Sequence, residues 1–189
     1  QINSKKNGIY KLLNAGYSEK EFGAFSFYTP VYPNQFEKTK TTFASVQIKT
    51  DGNISFRNNL YWRKHNDNFI LFRENPSVYQ NFHETNVFGT DMNIIQKTSY
   101  GSNVFGMEIR NDNIISNILG EDLESPIQID SNNFYFKGAN RTLVNLFVEK
   151  NINFNNLNIS TGFMTNIDSD YGYSYFPGVD ISYQIKSNM

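Results

Sequence analysis

The sequence contains no cysteine. That removes a disulfide framework and thiolate zinc sites together, and leaves the cellular compartment open. Histidine is almost as scarce: there are two, His65 and His83. No stretch approaches the ~20 consecutive apolar residues that a membrane helix needs. No window holds an apolar 3.6-residue period with caps, so helix signals are scarce. The N-terminal residues Gln1-Ile2-Asn3-Ser4-Lys5-Lys6 form no apolar signal core. A formal net charge of −1 gives no electrostatic footprint for nucleic acid or for a polybasic membrane patch.

Enzyme signatures are missing too. No serine sits in the glycine-framed elbow of a hydrolase, and no glycine-rich phosphate loop opens a helix. Asp168 and Asp170 pair two carboxylates, but in a polar stretch where solvation accounts for them. Neither a catalytic centre nor a resident cofactor or metal is expected.

What is present is alternation. In Ser102–Ser116, Phe105, Met107 and Ile109 fall on one side, and Gly106, Glu108 and Arg110 on the other. A β-strand sends successive side chains to opposite faces, so this run has one apolar face and one charged face. Val179, Ile181, Tyr183 and Ile185 alternate with Asp180, Ser182 and Gln184, and Leu157, Ile159, Thr161 and Phe163 with Asn158, Ser160 and Gly162. Nine such runs are read, at 8–16, 21–29, 36–49, 54–63, 83–97, 102–116, 134–149, 156–166 and 178–187.

The connections alternate short and long: 17–20 short, 30–35 long, 50–53 short, 64–82 long, 98–101 short, 117–133 long, 150–155 short, 167–177 long. Asp51-Gly52 suits a type I′ hairpin. An up-and-down barrel puts every second connection at the same rim, and outer-membrane barrels keep the short turns on one side and the long loops on the other. Aromatics are 16% of the chain and gather where runs meet loops, as in a barrel girdle. The expected fold is all-β: an antiparallel up-and-down transmembrane barrel with strands near the ~9–11 residues that cross a bilayer. An odd count of nine does not close a bacterial barrel by itself.

Several stretches resemble the barrel of TonB-dependent outer-membrane receptors of the vitamin-B12- and siderophore-receptor-like group. They are Tyr61-Trp62-Arg63-Lys64-His65-Asn66-Asp67-Asn68-Phe69-Ile70-Leu71, Tyr79-Gln80-Asn81-Phe82-His83-Glu84-Thr85, Gly106-Met107-Glu108-Ile109-Arg110 with Ile114, Ser116, Leu119 and Gly120, and Tyr175-Phe176-Pro177-Gly178-Val179-Asp180. They occur in family order across residues 20–189. The resemblance implies a middle portion of a barrel of about 22 strands, residues 1–189 being part of one domain whose N-terminal plug and remaining strands are not in the sequence. It also implies import of a scarce solute, such as a corrinoid or metal chelate, in the bacterial outer membrane. The partners would be membrane lipid, the plug, the other strands, TonB through the plug region, and a small solute, with no nucleic acid.

Glu108, Arg110 and Asp180 are expected on the lumen side of the wall, because Arg on the lipid face costs ~2–4 kcal/mol at mid-depth. His65, Asp67, Arg73, His83 and Glu84 are candidate ligand contacts on outer loops, without the spacing of a compact metal motif. Tyr171, Tyr173 and Tyr175 are candidates for stacking on a ligand or, together with Phe176, for the girdle. The other readings are a soluble or surface β-domain that binds saccharide through aromatic loops, and a passive outer-membrane barrel.

Overall fold

The structure, a computed structural model described over residues 1–185, has no helix and a single antiparallel sheet. Its strands are β1 (Ile2–Lys6), β2 (Ile9–Gly23), β3 (Phe36–Thr50), β4 (Ile54–Ile70), β5 (Gln80–Thr98), β6 (Gly101–Ser116), β7 (Glu121–Gln128), β8 (Phe134–Phe154), β9 (Leu157–Asp168) and β10 (Gly172–Tyr183). Each strand pairs with the next in sequence, except that β6 pairs with β8 and β7 pairs only with β8. The path starts at β1 and ends at β10, which do not pair with each other.

Ten strands replace the nine runs, and their bounds differ for physical reasons. The run 8–16 and the start of 21–29 join into β2, which continues through Tyr17–Lys20 without a turn and ends at Gly23, so 24–29 is loop where strand was expected. The hairpin lies earlier, at Asn7-Gly8, where φ values of 51° and 73° give the two left-handed residues that a type I′ turn requires. Asp51-Gly52 does not form that turn: three residues separate β3 from β4, and only Gly52 has positive φ. The long connection expected over 64–82 shrinks to 71–79, because β4 runs on to Ile70 and β5 starts at Gln80. Only 169–171 separate β9 from β10, so that connection is short where a long one was expected. The short turns at 7–8, 51–53, 99–100 and 155–156 nevertheless share one rim. The end of the run 178–187, with Asn188 and Met189, lies outside the described residues from 186 onward.

Register sorts the side chains into two faces. Residues directly opposite one another project to the same side, so Leu13, Val46, Leu60, Thr90, Ile109, Val144, Ile167 and Tyr173 form one row across eight strands. A parallel row on that side holds Phe56, Ile94, Phe105, Val148, Phe163 and Pro177. The opposite side carries Asn59, Asp91, Glu108, Asn145, Asn166 and Ser174 in one row. There Asn59 Nδ2 donates to Asp91, Asn145 Nδ2 and the Tyr61 hydroxyl donate to Glu108, and Asn166 Nδ2 donates to Asn145.

The apolar face is bare. Phe105 is 51% exposed and Ile181 is 64% exposed. The five buried hydrophobics among the described residues (Ala24, Phe36, Ile70, Val87 and Tyr135) all lie toward the long-loop end or at the strand ends that approach it. The accessible surface is 12980 Å², whereas a compact monomer of this mass would expose ~9,300 Å². A sheet with no second layer has no core of its own, so its apolar side needs an apolar medium.

The apolar band also runs obliquely. On β2 it spans Ile9 to Tyr17, and on β10 Tyr173 to Tyr183; yet Leu13, mid-band on β2, shares a row with Tyr173, at the band's end on β10. A drift of about five residues over seven strand steps corresponds to a tilt of roughly 25–30° at ~3.3 Å per residue and ~4.8 Å per strand. Membrane barrels tilt their strands in the same way, by ~35–45°. Within the band the Asn58 amide is satisfied: its Nδ2 donates to Thr90 Oγ1 and to the Asp91 carbonyl. Lys11 lies near the short-turn rim, where a long side chain reaches water.

Candidate functional site

Beyond the apolar band, toward the long-loop rim, both faces become polar. On the apolar side the next rows carry Lys64, Lys40 and Lys38, ion-paired with Glu84, Glu19 and Glu21 at 2.8, 2.8 and 3.0 Å. On the polar side the strand ends bring together Glu37, His65, Asp67, Phe69, Asn81 and His83. This cluster under the loops is the candidate site.

Its geometry follows from register. Asp67 on β4 stands directly opposite His83 on β5, with His65 two residues below Asp67 on the same face. Thr41 Oγ1 and His65 Nδ1 are 2.8 Å apart, as are Ser116 Oγ and His83 Nδ1. Ser116 is fully buried, and its oxygen accepts from the N–H groups of Ile118 and Leu119. Both lone pairs are thereby used, so its own hydrogen goes to His83 Nδ1 and neutral His83 carries its proton on Nε2. Both imidazoles are thus held through Nδ1, which leaves Nε2 for another partner. The carboxylate oxygen Oδ1 of Asp67 and the amide oxygen of Asn81 are buried and accept no hydrogen bond.

The loop over 24–35 covers one side of this cluster. Gln35, 2% exposed, ties it down: its backbone carbonyl accepts from Ala24 N, its side-chain oxygen accepts from Tyr28 N, and its side-chain amide donates to the Thr29 carbonyl. Tyr28 then packs edge-on against Phe69 at 5.0 Å and donates its hydroxyl to Glu37 at 2.9 Å. Burial first, and then the bond to Glu37, pushes the Tyr28 phenol up to about 12. The Arg73 guanidinium lies 4.3 Å over the Phe36 ring, and its backbone N–H donates to the Asn34 carbonyl.

A second hairpin shapes the rim on the other side. Lys137 on β8 is paired with Ser116 on one edge and with Asp122 on the other, so the chain crosses over β8 between β6 and β7. Gly120, at φ 104°, allows the crossing, because a Cβ there would strike the Gly138 carbonyl. β7 stands where β9 and β10 end early. The short turn at 169–171 is fixed by Asp168, which accepts two N–H groups of Arg141 and the N–H of Asp170. The Asp170 N–H and the Arg141 guanidinium hold the Asp168 carboxyl below its ordinary value.

Of the candidate residues, the fold gathers His65, Asp67 and His83 on strands rather than on loops, all on the polar face. Glu84 projects to the opposite side, where Lys64, Asn66 and Asn86 all donate to it. Tyr173 and Tyr175 stand on the apolar face, Tyr175 stacked 6.1 Å from Phe163. Tyr171 lies in the turn, against the Arg141 guanidinium, while Phe176 faces the polar side. Glu108, Arg110 and Asp180 share the polar face, with Arg110 paired to Asp112 at 2.8 Å. Sequence reasoning assigned no site role to Glu37, Tyr28 or Ser116; Ser116 entered only as part of the stretch that follows Gly106–Arg110. Among the described residues no group of three or more His, Asp or Glu is placed to hold a metal ion.

No protein-family description and no curated protein matches the chain. Solved structures do. Two mutant forms of the ferric enterobactin receptor of Pseudomonas aeruginosa align with TM-scores of 0.66 and 0.69 at 13% and 14% identity. Each alignment covers 96% of this chain and 29% or 30% of the receptor chain, so the chain spans under a third of the length of the proteins it matches. At such identity the likeness is one of fold: ten antiparallel, up-and-down strands that match a segment of the receptor structure.

Proposed function

We propose that the chain is a wall segment of a TonB-dependent receptor in the bacterial outer membrane, which imports a scarce solute. The observation that carries this reading is the two-sided sheet: an exposed, oblique apolar band on one face and a hydrogen-bonded polar face on the other. Hydrocarbon on the first side and a wet lumen on the second satisfy both. A soluble saccharide-binding domain would need a second layer over Phe105, Ile109 and Val148, and the described residues supply none.

In this reading residues 1–189 are one part of a larger barrel domain. The plug and the remaining strands would complete the wall and fill the lumen, and TonB would act through the plug. His65, Asp67 and His83 line the mouth, where imidazole nitrogens and an unsatisfied carboxylate oxygen meet an incoming solute; Arg73 stands in the loop above. A corrinoid and a metal chelate both suit such donors, and the siderophore receptors among the structural neighbours favour the chelate. Uptake energy would reach the site by way of TonB, so neither a nucleotide site nor catalysis belongs to this wall.

The test is transport. Cells carrying the complete gene are expected to accumulate a labelled ferric chelate only when TonB is intact, with the protein in the outer-membrane fraction. Accumulation that ignores loss of TonB would point to a passive barrel. Recovery from the soluble fraction would end the membrane reading altogether.

A further inference from the structure

A shallow groove of about 500 Å³ lies on the apolar face across β3 to β6. Its floor is Ala44 and Thr90, the small residues of two adjacent rows, and its walls are Leu60, Trp62, Phe88 and Ile109. Trp62 and Phe88 lie 6.2 Å apart at 31°, which leaves the depression open between them and Leu60. The two polar groups in the lining are already engaged. Thr90 Oγ1 accepts from Asn58, and the Asn111 amide donates to Asn140 and Thr142. The polar side chains of the groove are therefore held against the wall, and its volume is within the ~300–1,000 Å³ of small-ligand sites.

The row just above it has a different character. It runs Thr42, Lys64, Asn86, Asn113 and Asn140. Lys64 and Asn86 are bound to Glu84, and Asn140 to Asn111. Asn113 sits on the same strand as Asn111 and Ile109, one row beyond the groove, and its side chain makes no hydrogen bond. A dry slot thus opens toward one free amide and an ammonium at the edge of the band.

We propose that this groove holds a single acyl chain of a membrane lipid, whose ester and head-group oxygens accept from Asn113 and Lys64. The proposal rests on the membrane reading above. It goes further, because this groove is larger than the depressions of about 390 and 270 Å³ around Phe105 and Phe163 on the same face, and small residues under large ones shape it as a slot for one chain. Shape and polarity agree: contact along the tail comes from Leu60, Trp62, Phe88 and Ile109, and the change from apolar to amide falls where a lipid changes from tail to ester.

The experiment uses the whole receptor, stripped in detergent, reloaded with saturated-chain phosphatidylethanolamine and weighed by mass spectrometry under non-denaturing conditions. The variant Ala44→Leu/Thr90→Leu fills the floor with side chains that suit hydrocarbon; Asn113→Ala removes the free donor; Thr165→Leu adds the same kind of bulk on the same face outside the groove. The expected result is one fewer retained lipid in the double variant, with affinity reduced about ten-fold or more, equivalent to ~1.4 kcal/mol. Asn113→Ala should show a smaller loss, and Thr165→Leu should match the parent. Equal retention in the double variant and in Thr165→Leu would overturn the proposal, as would a parent that floats with vesicles yet keeps no lipid. Failure of the membrane reading looks different: the parent would not float with vesicles at all.

Discussion

Arginine placed in turn at each outward position of β6 should trace the thickness of the membrane. The positions are Asn103, Phe105, Met107, Ile109, Asn111 and Asn113, all on the apolar face by register. Two residues advance ~6.6 Å along a strand, or about 6 Å in depth at the band's tilt of roughly 25–30°. Met107 is central among the apolar residues, so Phe105 and Ile109 lie ~6 Å from mid-depth and Asn103 and Asn111 ~12 Å, close to the edge of a ~25 Å band. The expected cost is ~2–4 kcal/mol at Met107, less at Phe105 and Ile109, and ~0–1 kcal/mol at Asn103, Asn111 and Asn113. Reversible urea unfolding of the whole receptor from phospholipid vesicles measures it, followed by the circular dichroism of its strands. A profile flat within the ~0.5 kcal/mol typical of exposed surface sites would refute the reasoning. So would a profile whose largest costs fall at Asn103 and Asn113, at the edges of the band, instead of at Met107.

Three further outcomes test the long-loop end. Ser116→Ala should destabilise by about 1 kcal/mol, since it removes the buried hydroxyl that serves the part-buried N–H groups of Ile118 and Leu119; denaturant midpoints measure it, with Ser116→Thr as the milder comparison. Tyr28 should ionise later than the other phenols: its raised value means that its contribution to stability is complete below pH 10 and is lost as pH rises through about 12, so Tyr28→Phe should remove the latest component of a tyrosinate absorbance titration. Arg141→Ala should free the 169–171 turn, detected as faster amide hydrogen exchange at Asp170 and Tyr171 while β4 and β5 stay protected.

Period-two alternation is legible only where the two faces meet different solvents. At Phe105–Arg110 they do, and the strand was readable in the sequence. At Tyr17–Lys20 and at Lys64–Phe69 water lies on both sides, so Ser18, Glu19, His65 and Asp67 carry no face signal. Those strand ends therefore read as a turn and a loop, although the backbone ladder continues through them. The candidate mouth was half legible for the same reason. His65, Asp67 and His83 stood out as rare or charged residues, whereas Glu37, Tyr28 and Ser116 join them only because strands far apart in sequence pair in register.

By itself the sequence determined the all-β class, the up-and-down order and the identity of the apolar residues, since these depend on local alternation and on neighbours along the chain. Tertiary structure alone decided which side Glu84, Tyr173 and Phe176 face, where β7 crosses β8, and that Ala44 and Thr90 make one depression between larger side chains. Register is a property of strand pairs, and a shift of one residue would turn each of these side chains to the other solvent.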